Sequence, residues 1–171
     1  MGDGDRPDMT LRTLVSEHIR HIERFGYSTV VVAANDLEPG WAYTVGLERS
    51  CGTSELLTIG LPPVKSQILL DHLARRCLLG DVPSAATVSI GAPISPLRLL
   101  TVGDIWRSAS DYFNLGRIII DEGWGSQSWP ETQQVVWADR YGRFPEELPE
   151  GTPGRFLQPR LIDSAPARHP S

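Results

Sequence analysis

Leu11, Leu14, Val15, His18, Ile19 and Ile22 recur at helical spacing, with Arg12, Glu17, Arg20 and Glu23 on the opposite face. The pattern predicts an amphipathic first helix, capped by Thr10 or Asp8 and ended by Gly26. Residues 27–34 are β-branched and apolar, a buried strand, and turn chemistry over residues 35–40 leads to a second strand at 41–47. The two predict an antiparallel hairpin. Residues 56–60 make a third short strand. Pro62 and Pro63 open a second helix at its first turn, where proline is tolerated. Its expected apolar stripe is Val64, Ile68, Leu69, His72, Leu73 and Cys77, and Gly80 closes it. Strands follow at 87–90 and 97–102. A third helix is expected from Gly103 and Asp104 through Leu115, burying Ile105, Trp106, Ala109, Tyr112 and Phe113. Residues 118–120 read either as strand or as the end of that helix, and residues 132–138 as a last strand. Strands and helices mix without a βαβ rhythm, which predicts an α+β fold: a mostly antiparallel sheet with about three helices packed on it. Residues 1–9 read as a disordered leader, 10–157 as a single domain and 158–171 as a weakly ordered tail.

The chain has 171 residues, enough for one well-buried core, and 40% hydrophobic with 22% charged residues is ordinary for a globular protein. A net charge of −5 with no Lys/Arg cluster argues against nucleic acid or an anionic membrane as partner. Cys51 and Cys77 are the only cysteines, with no CxxC pair for zinc, and the polar N-terminus is unlike a signal peptide. With no apolar run near the ~20 residues that span a bilayer, a cytoplasmic protein with free thiols is the expectation.

Several blocks together resemble a bacterial family, the "domain of unknown function 4262". They are Arg24-Phe-Gly-Tyr27, Tyr43-Thr-Val-Gly-Leu47, Glu55-Leu56, Gly60-Leu-Pro-Pro63, Gln134-Val-Val-Trp-Ala-Asp139 and Gly142-Arg-Phe-Pro145. The resemblance covers about residues 11–160. Family members usually carry His-Gly at Phe25-Gly26 and His-Pro-Glu-Leu at Thr53-Ser-Glu-Leu56. They carry Trp-Pro-Asp at Trp137-Ala-Asp139 and Phe-Pro-Trp at Phe144-Pro-Glu146. Residues 121–130 look like an insertion. The resemblance implies a fold and no established reaction.

Candidate chemistry concentrates at a few positions. Trp41, Tyr43 and Val45 share one face of their strand, with Ala42, Thr44 and Gly46 on the other. Gly46 suggests the close approach of a backbone or ligand. Tyr43 either lines a pocket or packs in the core. Asp139 and Arg140, directly after a buried strand, either hold a polar ligand, with Asp139 as general acid or base, or form a turn around Gly142. Trp124 and Trp129 lie in a Gly/Ser-rich segment, as a lid or partner surface or as a plug for their own core. His18 and His21 lack a third ligand for zinc, and His72 is the best-placed base by residue type, beside Asp71 and Arg75. Cys51 has no base placed near it by sequence, and Cys77 is a packing residue.

The leading expectation is a small-molecule-binding protein or cofactor-independent enzyme of specialised metabolism, a cyclase, an isomerase or another proton-transfer catalyst. Tyr43, Asp139 and His72 are its catalytic candidates. Trp41, Thr44, Glu48, Trp124, Trp129, Trp137 and Arg140 are its ligand-binding ones. No metal and no cofactor is expected, and a homo-oligomer is compatible with this reading. It predicts a cavity of at least ~300 Å³ walled by Tyr43 or Asp139. The alternative is a non-catalytic interaction or immunity-type module, which predicts its tryptophans in a solvent-facing patch.

Overall fold

The hairpin expected from residues 27–47 forms β1 (Ser28–Val32) and β2 (Trp41–Val45), antiparallel with Val30 opposite Tyr43. The computed structural model describes residues 6–83, 96–109, 111–125 and 127–162; the strand expected at 87–90 lies outside them. β3 (Glu55–Ile59) pairs antiparallel with β2. β4 (Leu97–Thr101) pairs antiparallel with β5 (Thr132–Trp137), and β5 runs parallel to β3. The sheet order is β1-β2-β3-β5-β4, an α+β single domain in which three of the four strand pairs are antiparallel.

Side-chain alternation along the strands gives the sheet two apolar faces. Val30, Tyr43, Val45, Leu57 and Ile59 pack with Val15 and Ile22 of α1 (Arg6–Phe25). They also pack with Phe113, Trp129 and Ile119, the last from α5 (Asn114–Trp124). Ala42, Leu56, Leu97, Leu99 and Val135 face α3 (Pro63–Leu78) on the other side. Two short helices, α2 (Leu47–Cys51) and α4 (Asp104–Ala109), lead into β3 and α5, and α6 (Pro153–Leu157) closes the described helices.

The buried stripe of α3 keeps Leu69, Leu73 and Cys77 of the expected one and is turned from it toward Ser66, Leu70 and Ala74. Ser66, Leu69, Leu70, Leu73, Ala74 and Cys77 are buried, an unbroken i, i+3, i+4, i+7, i+8, i+11 series. Val64, Ile68 and His72 are exposed on the outer face. Ser66 and Ala74 on this face are small, so hydrophobicity alone does not reveal them. The single helix expected through Leu115 is also broken. α4 ends at Ala109, a tight turn spans Asp111–Phe113, and α5 begins at Asn114. Serine, aspartate and asparagine crowd this stretch and compete for backbone hydrogen bonds; Asn114 Nδ2 donates to Asp111 Oδ1 at 3.1 Å. The break leaves Ile105 exposed and carries Phe113 fully inside. Residues 118–120 are helical, in the middle of α5.

Beyond α6 the chain runs back along β5. The Gln134 side chain donates to the Pro159 carbonyl at 2.7 Å and accepts the Leu161 amide at 2.9 Å. Gln158 bridges both backbone groups of Trp137, and Leu161 is buried.

Candidate functional site

Glu55 opens β3, a strand buried at all five positions. It is 1% exposed. The β2–β3 ladder runs from Trp41 opposite Ile59 to Tyr43 opposite Leu57. At Thr44 a side chain takes over: its hydroxyl accepts the Leu56 amide at 2.9 Å and donates to Glu55 Oε2 at 2.6 Å. Glu55 Oε1 accepts the Gly46 amide at 2.9 Å and the Glu48 amide at 3.2 Å. Both amides belong to the first turn of α2, where backbone donors lack partners in the helix. Gly46 is required at this junction. Its φ is +108°, and a Cβ there would lie 2.7 Å from Ile22 Cγ2.

Two effects oppose each other at the Glu55 carboxyl. Burial penalises the charge, whereas hydrogen bonds from Thr44 and the amides of Glu48, Gly46 and Leu47 favour it. Burial wins, and the pKa is pushed up to about 7. Glu55 therefore exchanges its proton near neutrality, in the range where acid–base catalysis is most effective. Replacing Thr44 by valine removes the Oε2 donor and the Leu56 acceptor without changing shape. The expected result is a loss of about 1–3 kcal/mol in urea denaturation. A carboxyl titration should show the Glu55 midpoint moved higher still.

Glu55 lines a cavity of about 290 Å³ together with Gly46, Glu48, Arg49, Ile120 and Trp124, with Gln127 and Pro130 in the same wall. The Arg49 guanidinium lies over the Trp124 ring, 4.7 Å from its centroid, so the wall presents a cation and an aromatic plane beside the buried acid. Acid–base chemistry on a small bound molecule needs these parts: a group that exchanges a proton at the working pH, and a shaped wall that holds the substrate near it. Among the described residues, no group of three or more His, Cys, Asp or Glu could hold a metal ion, and no helix is long and apolar enough to cross a membrane.

The family described as Domain of unknown function (DUF4262) matches residues 21–148, which span the last turn of α1, the whole sheet and the Glu55 cavity. The chain belongs to this family. No curated protein and no solved structure matches it.

In this DUF4262 protein the ligand-binding candidates divide. Glu48 and Trp124 line the Glu55 cavity and Thr44 holds the acid in place. Trp129 is buried: it stacks on Phe113 with centroids 4.7 Å apart, and its Nε1 donates to Thr132 Oγ1 at 2.8 Å. Trp41 is half-buried and donates to the Tyr112 carbonyl at 3.1 Å, and half-buried Trp137 lies against the α3 face. The tryptophans thus form no single outward patch.

The catalytic candidates lie apart from the cavity and from one another. Tyr43 is 1% exposed, and its hydroxyl accepts the Gly116 amide at 2.9 Å, capping the first turn of α5. Burial holds that hydroxyl far above the usual phenol range. Gly116 is also a close-approach site, since a Cβ there would meet the Trp129 ring at 2.5 Å. Asp139 organises an exposed turn, accepting the Tyr141 and Arg143 amides and the Arg143 guanidinium. The Arg143 amide and side chain hold its carboxyl below the usual range. Arg140 lies over the Tyr141 ring, and His72 is exposed on α3. Neither Tyr43 nor Asp139 walls the cavities that flank α5. His18 is tied to Ser28 at 2.7 Å and His21 to the Tyr27 carbonyl at 2.8 Å. Cys51 donates to the Leu47 carbonyl, and burial raises the Cys77 thiol.

Glu55 and Arg49 are not among the sequence candidates. The signal for Glu55 was present: an acid at the head of the run Leu56-Leu-Thr-Ile59 has no solvent face to point to. Arg49 had no such signal, because its contact with Trp124 joins residues 75 positions apart.

Proposed function

We propose that the protein binds a small molecule in the cavity between α2 and α5, and that Glu55 exchanges a proton with it. The reaction class is cofactor-independent acid–base chemistry, an isomerisation or a cyclisation. The observation that carries this reading is a fully buried carboxyl, pushed to a pKa of about 7, in the wall of a cavity. A structural acid that only tied β3 to α2 would not need an opening beside it. Arg49 and Trp124 are the binding wall, suited to a planar or anionic part of the ligand. At about 290 Å³ the cavity sits at the small end of ligand pockets.

Native mass spectrometry after equilibration with a metabolite extract of the host tests this reading. A stoichiometric small-molecule adduct is expected on the wild type. It should be lost in Trp124→Ala and kept, chemically unconverted, in Glu55→Gln. A wild type that carries no adduct, or converts its ligand equally well without Glu55, would contradict it.

A further inference from the structure

We propose that a second cavity, between α4, α5 and the loop after α5, is an oxyanion-binding site that takes a phosphate or carboxylate group of a small molecule. The cavity measures about 450 Å³. Two guanidiniums, Arg107 and Arg117, stand in its wall against a single carboxylate, Asp104, which pairs with Arg107. Ser128 and Gln127 add short polar side chains to the same wall. In a chain of net charge −5, this local excess of arginine runs against the overall balance.

The Arg107 Nε–H points to the ligand. It is buried and has no acceptor among the described residues. A guanidinium N–H shielded from water without an acceptor is costly, and an oxyanion seated on Arg107 would relieve it once a small turn of the guanidinium brings the Nε–H into a charge-assisted hydrogen bond. Arg117 is held in place by donating to the Arg107 backbone carbonyl and to Asn114 Oδ1, and the Arg107 side chain by its pair with Asp104, so both guanidiniums stand at the wall before any ligand arrives. The Trp129 ring lines the cavity as well.

Gln127 stands in the walls of both this cavity and the one at Glu55. Arg117, Ile120 and Trp124 succeed one another at i, i+3 and i+7 on α5, so one helix face runs from one cavity to the other. Seven residues of helix span about 10 Å. The ligand class that fits both ends is an elongated small molecule with an oxyanion at Arg107 and Arg117 and its reacting end at Glu55. That last clause rests on the proposed function; the oxyanion site does not.

The test is a titration of the full-length, 15N-labelled protein at neutral pH and constant ionic strength, with inorganic phosphate in one series and acetate in another. Saturable shifts of the Arg107 Nε–H and the Trp129 indole N–H are expected. Arg107→Gln and Arg117→Gln should each weaken binding at least about tenfold, while Glu55→Gln and the surface control Arg20→Gln should leave it unchanged. Arg107→Lys keeps the charge without the fork and should bind at intermediate strength, which serves where glutamine disturbs folding. Saturation by phosphate alone identifies a phosphate group as the natural anion, and saturation by both identifies a carboxylate as sufficient. No saturable shift with either anion, or equal binding in the arginine variants, would overturn the site. Failure of the Glu55 chemistry would leave all these results as they are, so the two readings fall separately.

Discussion

Raising the pH from 4 to 8 should make Glu55→Gln gain about 3 kcal/mol of stability relative to the wild type. Glu55 ionises near its ordinary value of 4.5 in the unfolded chain and at about 7 in the fold. Between those values the folded protein holds a proton that the unfolded chain has released. The contribution of a neutral Glu55 is therefore fully present below about 4.5, declines as the pH rises, and is gone above about 7. Glutamine has no charge to bury and shows no such decline. His18 pulls the other way, since burial lowers its pKa, but both proteins carry it and the difference cancels its effect. Urea denaturation of the two proteins across this range checks the prediction. Parallel stability curves would mean that Glu55 titrates at the same pH folded and unfolded.

Trp129→Ala should cost about 3–5 kcal/mol, the range for removing a large aromatic from a core. The ring stacks on Phe113 at an interplanar angle of 13°, meets Tyr43 edge-on at 5.6 Å and lies against Gly116. Its removal also strips Thr132 Oγ1 of a hydrogen-bond donor. Trp124 is half-buried, packed at the edge of the core and under Arg49, and its loss should cost less, about 1 kcal/mol. Urea midpoints of the two single variants measure the difference. Equal, small losses would show that Trp129 is a surface residue of the loop rather than its anchor in the core.

The two tryptophans illustrate what the chain's pattern discloses and what it hides. Apolar, β-branched runs bounded by turn residues place β1, β2, β3 and β5 to within a residue or two, because both signals are local. The α3 stripe read from the sequence shares Leu69, Leu73 and Cys77 with the buried one and lacks Ser66, Leu70 and Ala74, because the two small residues carry little hydrophobic signal. Trp124 and Trp129 look alike in a Gly/Ser-rich segment, yet one ends α5 and the other plugs the core. The contacts of Trp129 with Tyr43 and Phe113, distant in sequence, set the two apart. Likewise Thr44 and Glu48 were legible as candidates, but the acid they hold was not. Its role depends on the β2–β3 register and on the close of that ladder beyond Tyr43.

The most direct measurement is the pH titration of the Glu55 side-chain carboxyl by 13C NMR, assigned by its absence in Glu55→Gln. A midpoint near 7, perturbed when Trp124 is replaced by alanine, is the result expected for a proton-exchanging acid in the wall of a ligand cavity. A midpoint near 4.5 would contradict it: Glu55 would then be a permanently charged tie between β3 and α2, with no proton to give at neutral pH.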